Sequence, residues 1–197
     1  MTRPERVTQS QPLATRSDAI QNRARILEAA RTALAVSGNA SMQSIAKRAG
    51  IGQGTLYRHF PSREALVLAV HRHDVQALVN AAPALLAAHP PFAALRLWCD
   101  RLAAYGRIKH GLAGALHTVM RAELADEGYG PVLGAITLLL NACKEAGVTR
   151  PDVDAEEVLL LVGFLWRIEP DRDWEARACH LLDLVMDGLR RQPSAER

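Results

Sequence analysis

The sequence lacks the features of several common classes of protein. Its three cysteines, Cys99, Cys143 and Cys179, are odd in number, lie far apart and form no Cys-X-X-Cys pair. This pattern excludes a disulfide-rich scaffold and predicts buried thiols in a reducing compartment. The longest apolar run covers only residues 158–166, too few to cross a bilayer, and the N-terminus has no apolar segment typical of a secretory signal. We therefore expect a cytoplasmic protein.

Aromatic residues are also scarce, at 5%, and the alternating runs of β-branched residues that are typical of strands are missing. The chain is instead rich in Ala and Leu, and apolar residues make up 49% of its 197 residues. Ala and Leu favour helices, and this apolar content is enough for a sizeable core. The sequence predicts an all-α fold with a small N-terminal head and a larger body.

Residues 41–60, SMQSIAKRAGIGQGTLYRHF, have the pattern of two short helices joined by a tight turn. Ser41 suits the N-cap of the first helix, and Gly50 can take the positive φ that ends it. Ala46 is small enough for the second helix to cross closely, and Leu56 can pack between the two helices. This spacing is typical of a helix-turn-helix, whose second helix enters the major groove of DNA. The motif predicts a DNA-binding protein.

The distribution of charge supports the same prediction. Residues 1–75 carry eleven Lys or Arg against five Asp or Glu, a net charge of +6. Residues 76–197 carry thirteen against sixteen, a net charge of −3. The positive charge therefore coincides with the motif, where phosphate contacts would supply most of the sequence-independent affinity for DNA.

Apolar periodicity and the positions of Gly and Pro divide the chain into domains. We predict a disordered tail at residues 1–18, with a basic arm for the minor groove as the alternative. Residues 19–80 form the predicted DNA-binding domain, and residues 81–197 form a larger helical body. Pro83 and the acidic segment 123–130 are expected to interrupt helices. The predicted helices cover residues 19–37, 41–49, 53–60, 63–82, 92–110, a short stretch around 117–121, 131–146, 154–167 and 174–191.

The predicted helix over residues 154–167 is apolar on nearly every face, and such a helix must be buried on all sides. In a chain of this size the simplest cover for its outer side is a second copy of the protein. One short recognition helix also reads too few bases to be specific, whereas two copies related by a two-fold axis read half-sites about 34 Å apart. The sequence predicts a homodimer formed through the last two helices.

The run SIAKRAGIGQGTLYRHFPSREAL, residues 44–66, resembles the N-terminal signature of the TetR family of transcriptional regulators. That signature has a first helix, then IA, AG(V/I) and G-X-LY-X-HF, and a charged helix start after a Pro-Ser or similar turn. The resemblance covers about residues 20–70. It implies an Ω-shaped all-α homodimer in which residues 81–197 are the effector-binding and dimerisation domain. The small effector bound there weakens DNA binding, and repression is the usual mode. Gly52 departs from the pattern, because relatives often have a capping Ser or Thr there.

Four residues are candidates for reading bases. Gln53, Thr55 and Arg58 are expected at or near the exposed face of the second motif helix. A Gln side chain can read adenine, Arg can read guanine, and the Thr methyl suits thymine. Gln43, in the first motif helix, is a further candidate. For Arg58 the alternative is a solvated side chain with no contact.

Four other residues are candidates for contacts with phosphate. Ser41, Tyr57 and His59 carry donors suited to phosphate oxygens, as their counterparts do in relatives. Arg63 adds a cation to the free amides of a helix start, which together make an anion site. Relatives more often have lysine at this position. For Tyr57 the alternative is packing in the head.

The effector is expected inside the bundle of central helices, where sparse polar groups among apolar ones are typical of a small-molecule pocket. The candidate ligand-binding residues share large side chains that are polar-tipped or adaptable. Ordinary core packing is the alternative for each of them. No cofactor is expected, and the small-molecule effector is unknown. The candidates are Trp98, Tyr105, His117, Met120 and Trp166.

Other classes of function have less support. The sequence has no GxSxG, HExxH, GxGxxG or P-loop pattern, so a helical enzyme has no recognisable catalytic motif. His110 and His117 could share a helix face as metal ligands only if Gly111 and Gly114 allow no bend. A regulator that works without an effector remains as the main alternative. An enclosed cavity in the body would separate the two readings.

Overall fold

The computed structural model describes residues 13–36, 40–113, 118–169 and 171–191. In these ranges the chain is helical, which confirms the predicted all-α fold, and an isolated bridge between Thr149 and Arg190 is the one β-type pairing. No helix within them combines the length and apolar character needed to cross a membrane. The helices are α1 Leu13–Val36, α2 Met42–Ala49, α3 Gln53–His59, α4 Arg63–Ala88, α5 Pro91–Ala113, α6 Thr118–Glu145, α7 Ala155–Leu161, a 3-10 helix Val162–Trp166 and α8 Trp174–Leu189.

Two separate hydrophobic cores lie along helix α4. The head core is built by α1, α2, α3 and the first turns of α4, and its last member in the chain is Val70. The body core starts at Val75, also on α4, and continues through α5, α6, α7 and α8. Helix α4 therefore belongs to both the head and the body, and a change in its position changes the packing of both cores.

The turn of the helix-turn-helix forms as the sequence predicts. The Ser41 hydroxyl caps α2 by accepting from the amide of Ser44 at 3.2 Å. Gly50 ends α2 in the left-handed region with φ 66°, and its amide donates to the carbonyls of Ala46 and Lys47. Ala46 and Leu56 are buried, so the small residue and the aliphatic anchor lie where the motif requires them.

Arg25 on α1 supports this turn in a way the sequence did not indicate. Its Nη2 donates to the carbonyl of Ala49 at 2.6 Å and to that of Gly50 at 3.3 Å. A cation at the C-terminus of a helix satisfies free carbonyls and opposes the negative end of the helix dipole. Helix α1 thus holds the end of α2, and with it the start of the recognition helix.

We expect Gly50→Ala to destabilise the protein by about 1–2 kcal/mol, because a side chain is strained at positive φ. A Cβ at this position would also lie 3.0 Å from the Arg25 Nη2 that holds the turn. The measurement is urea unfolding, with a lower midpoint and an unchanged m-value. Gly54→Ala is the matched control, since its Cβ would meet open space inside α3 and should raise helix propensity. Equal midpoints for the two variants would contradict this reading of the turn.

Two interruptions predicted from the sequence are wrong. Helix α4 continues through Pro83 to Ala88, and α6 continues through residues 123–130 and Pro131. Helix α5 reaches Ala113, three residues beyond its predicted end at residue 110. Next to the two prolines, buried residues such as Ala82 on α4 and Val132 on α6 pack in the body core. This packing offsets the hydrogen bond that each proline removes, so tertiary contacts override the local preference.

Helix boundaries also differ from the prediction at two other places in the chain. Helix α1 begins at Leu13, so residues 13–18 of the predicted tail are helical, and residues 1–12 lie outside the described part of the chain. The predicted helix over 154–167 is an α-helix only to Leu161 and then tightens into the 3-10 helix. Its start is as expected, because Asp154 accepts from the amide of Glu157 at 2.8 Å. The Glu157 carboxylate in turn accepts from the Asp154 amide at 2.9 Å, which completes a capping box.

The three thiols differ in environment. Cys99 and Cys143 are buried as predicted, and burial raises their pKa values to about 12 and about 11. Cys179 is exposed on α8, so the prediction of a buried thiol is wrong there. The exposure of Cys179 is decided by its position on an amphipathic helix and not by its residue type. The buried Ala178 and Leu182 lie on the inner face of α8, whereas Cys179 lies on the outer face.

Candidate DNA-binding surface and body cavity

Helix α3 presents an exposed polar face on a buried anchor. Leu56 is fully buried on its inner side, and Phe60 follows directly at its C-terminus. On the outer side Gln53 and Arg58 are exposed, and Tyr57 is 48% exposed. The exposed position of Tyr57 argues against the alternative of packing in the head.

The remaining residues of the predicted surface lie around this face. Gln43 is exposed on α2, and Thr55 and His59 are half-buried on α3. Ser41 is exposed, and although its oxygen caps α2, its hydroxyl proton can still be donated to a phosphate. Gly52 stands at the N-cap of α3 without any side-chain hydrogen bond, as its departure from the family pattern implies.

Arg63 is the first residue of α4 and is held near the start of the motif. Its Nε donates to the carbonyl of Ala40 at 3.4 Å, and its side chain is half-buried. Ser62 caps α4 by accepting from the amide of Ala65 at 3.1 Å. A guanidinium beside the free amides of a helix start is a favourable environment for an anion. The phosphate contact of Arg63 stays a prediction, and the position of this residue at a helix start is the feature that favours it.

A basic groove flanks the C-terminal end of α3, and sequence reasoning did not find it. Its volume is about 500 Å³. The guanidinium of Arg23 lies 4.7 Å from the centroid of the Phe60 ring, a cation–π contact that fixes one wall. His59 therefore faces a groove between α1 and α4 as well as the exposed face of α3. The lining residues are Arg23, Leu27, His59, Phe60, Ala65, Leu68, Ala69, Arg72 and His73.

The body contains a larger cavity of about 680 Å³ with a mainly apolar and aromatic lining. Helices α5, α6 and α7 and the 3-10 helix form its walls. This volume and lining are within the range of small-molecule sites. The lining residues are Leu102, Tyr105, Gly128, Tyr129, Val132, Leu159, Leu160, Leu161, Gly163, Phe164, Trp166 and Arg167.

Two of the five ligand candidates, Tyr105 and Trp166, line this cavity. Trp98 does not, because it is fully buried in the body core and its indole N–H donates to the carbonyl of Leu78 at 2.9 Å. This is the core packing that the sequence left as the alternative. His117 and the side chain of Met120 lie outside the described part of the chain.

Close packing fixes the aromatic wall of the cavity. The ring of Trp166 meets that of Tyr105 edge-on, with centroids 5.9 Å apart and planes at 88°. Gly106 makes room for this arrangement, since a Cβ there would lie 2.6 Å from Cζ3 of Trp166. The two aromatic side chains therefore have little freedom to move independently.

Tyr105 also connects the cavity to α4. Its hydroxyl shares a hydrogen bond of 2.8 Å with Nδ1 of the buried His71. Burial and the nearby negative charge of Asp74 raise the pKa of Tyr105, so its phenol stays protonated at neutral pH. A ligand that displaces the Tyr105 ring would disturb a buried polar contact of α4.

One turn further along α4, Asp74 connects the same helix to the head. Its side chain is 6% exposed, and Arg31 of α1 donates through Nε to its Oδ1 at 3.0 Å. Its second oxygen, Oδ2, has no hydrogen-bond partner among the described residues. Burial raises the pKa of Asp74, and the charge of Arg31 and the hydrogen bond from it oppose this rise. His71 and Asp74, three residues apart, thus share one face of α4 but bind opposite halves of the protein.

Comparison with known sequences assigns both halves of the chain. Residues 26–70 match the profile of the bacterial regulatory proteins of the tetR family. Residues 90–191 match that of the C-terminal domain of SbtR-like transcriptional regulators. The HTH-type transcriptional regulator SAB2452 of Staphylococcus aureus (strain bovine RF122 / ET3-1) is 46% identical over 67 residues, 33% of this chain. The match spans only 36% of the length of that curated relative.

Solved structures are similar over nearly the whole fold. The TetR transcriptional regulator SCO0520 from Streptomyces coelicolor superposes with a TM-score of 0.79 at 37% identity, covering 87% of this chain and 99% of that one. A TetR transcription regulatory protein from Mycobacterium vanbaalenii has a TM-score of 0.73 at 34% identity, covering 90% and 99%. The likeness includes both the head and the body.

Proposed function

Because the chain belongs to the TetR family of transcriptional regulators, we propose that it binds a pseudo-palindromic operator as a homodimer, represses transcription there, and is released by a small-molecule effector. The family consists of DNA-binding regulators and not of enzymes, so no catalytic role follows from the cavity. The observation that carries the proposal is the exposed polar face of α3, which the buried side chain of Leu56 holds in place. The head that presents this face shares helix α4 with the body that contains the cavity.

In the proposed complex α3 lies in the major groove and reads bases through Gln53, Thr55 and Arg58, with Gln43 at the edge of the groove. Ser41, Tyr57, His59 and Arg63 contact phosphates on either side. The exposure of Gln53 and Arg58 supports the first group, and the location of Arg63 at a helix start supports the second.

The homodimer forms through α7, the 3-10 helix and α8. Leu160 is 79% exposed, Leu161 51% and Leu184 56% in the single chain, which is unusual for large apolar side chains on neighbouring elements. A second copy packed on these helices removes them from water, and the two-fold axis places two α3 helices for two half-sites. Leu160 and Leu161 also line the cavity, so the partner subunit would cover part of its open side.

A cavity whose open side is partly covered by the partner subunit supports release by an effector over the alternative of an effector-independent regulator. A ligand in it contacts Tyr105, which is bonded to His71 on α4, and α4 carries the head. Binding that favours a different position of α4 lowers the population of the DNA-competent form. A cytoplasmic location accords with this function.

The first test retains fragments of sheared genomic DNA from the source organism on the purified protein near physiological salt and sequences them. We expect one or a few pseudo-palindromic sites, with half-sites about one helical turn apart. The genes next to these sites would indicate the class of effector. Retention of DNA without a common sequence would contradict sequence-specific binding.

Substitutions on the proposed surface should fall into two kinds. Gln53→Ala or Arg58→Ala should relax base preference at particular operator positions, at about 1–3 kcal/mol of discrimination for each lost contact. Arg63→Ala should weaken binding to all sequences and lower the salt slope by about one unit. Fluorescence anisotropy with operator variants across a salt series measures both effects. Arg172→Ala, an exposed arginine of the body, is the control. The proposed docking is wrong if all three head variants bind the operator as the parent does.

A further inference from the structure

Aromatic side chains are concentrated at the body cavity. The chain has nine Phe, Trp and Tyr residues in total, and four of them, Tyr105, Tyr129, Phe164 and Trp166, line this one cavity. Aromatic faces and edges pack well against planar, unsaturated rings. The lining therefore favours a ligand with an aromatic body over a purely aliphatic one.

Among the described residues that line the cavity, the charge has one sign. Arg167 is the single charged residue among the described lining residues, at the end of the 3-10 helix. Its guanidinium has no hydrogen bond or ion pair with the described residues, and it is exposed. Its donors are thus available to a ligand whose body occupies the cavity.

A cationic ligand fits this arrangement poorly. Aromatic rings can hold a cation through their faces, but the charge of Arg167 would repel it, and no carboxylate occurs among the described lining residues. An anionic group is favoured instead, since guanidinium donors match carboxylate and sulfonate oxygens in pairs. We infer that the cavity selects an aromatic organic anion, with the ring among the four aromatic side chains and the acidic group on Arg167.

This inference rests on the proposed effector site and deepens it. It assigns Arg167 as the residue that distinguishes charged from neutral ligands of the same shape. The remaining lining residues, Leu102 and Val132 among them, supply apolar contact that both kinds of ligand share.

Two fluorescent probes with one skeleton test the assignment. 8-Anilinonaphthalene-1-sulfonate carries a sulfonate on the phenylnaphthylamine rings, and N-phenyl-1-naphthylamine lacks it. Each is titrated into the full-length protein and into Arg167→Gln at low and high salt. We expect the variant to bind the sulfonate about three- to fivefold more weakly, the effect of one exposed charge pair, and the neutral probe equally well. The difference should shrink at high salt because ions screen the pair.

Two further variants serve as controls. Arg172→Gln removes the same charge from an exposed position that does not line the cavity, and it should leave both probes unaffected. Gly163→Phe places a ring at a lining position where a Cβ meets open space, and it should weaken both probes by filling the cavity.

The outcomes separate the inference from the proposed function. Equal binding of the sulfonate by the parent and Arg167→Gln, while Gly163→Phe weakens both probes, overturns the anion preference and leaves an effector cavity in place. Unchanged binding of both probes to Gly163→Phe overturns the inference and the proposed effector site together. Operator binding, measured separately, is unaffected by either result.

Discussion

We expect Leu56→Ala to lose operator binding while the body still binds a small apolar probe. Leu56 is fully buried and is the one buried residue of α3, so it anchors the recognition helix in the head core that α1, α2 and α4 also build. Truncation of a buried leucine costs about 2–5 kcal/mol, a large part of the stability of a typical domain. The head core ends at Val70 and the body core begins at Val75, so the loss should fall mainly on the head.

Anisotropy with the operator, far-UV circular dichroism and titration with N-phenyl-1-naphthylamine measure the three consequences. Leu97→Ala on α5 is the matched control, since this leucine is partly exposed and its truncation should change little. Operator affinity equal to that of the parent would show that α3 does not need this anchor. Simultaneous loss of probe binding would show that α4 makes the head and the body unfold as one unit.

The second large effect concerns the contact between α1 and α4. Arg31→Leu should destabilise the protein by about 2 kcal/mol at neutral pH, because it leaves the buried carboxylate of Asp74 without its partner. This figure is below the usual cost of breaking a buried pair because Arg31 is partly exposed and its charge is screened. Thermal unfolding of both proteins across a pH series measures the effect.

The dependence on pH has a defined sign. Burial raises the pKa of Asp74 in the folded state, so folding favours the protonated form of this carboxyl. The stability that this form contributes is fully present below the unfolded pKa of Asp74 and is lost as pH rises through its folded pKa. Removing Arg31 removes the influence that opposes this rise. The difference between variant and parent should therefore be largest at pH 7 and shrink as pH falls toward about 4.

The double variant Arg31→Leu with Asp74→Leu separates charge from packing. An apolar pair in place of a buried ion pair is often neutral or stabilising, so the second substitution should recover most of the lost stability. A loss that is the same at pH 4 and pH 7 and is not recovered would mean that Arg31 acts through its aliphatic stem alone.

Features that depend on neighbours in sequence could be predicted. Ser41, Gly50 and Asp154 cap or end helices through contacts within four residues, and the structure confirms all three. The motif helices follow from the same local signals. Interruptions at Pro83 and at residues 123–130 could not be judged this way, because packing of α4 and α6 in the body decides them.

The candidate sites show the same division. Exposure of Gln53, Tyr57 and Arg58 follows from helix periodicity once Leu56 is taken as the buried position. The polar contacts of α4 join residues far apart in the chain: His71 and Tyr105 are separated by 34 positions, and Arg31 and Asp74 by 43. The sequence does offer one signal for these contacts, which is a polar residue such as His71 or Asp74 within the apolar stripe of α4. This signal does not identify the residue that the polar side chain binds.

The unequal environments of the three cysteines have a practical consequence. Cys99 and Cys143 are shielded and remain protonated at neutral pH, whereas Cys179 stands open on α8. A maleimide dye or nitroxide should therefore attach at Cys179 alone, without any engineered change. In the proposed dimer this gives one label on each copy of α8. The distance between the two labels then reports how the subunits move relative to each other when operator or ligand is added.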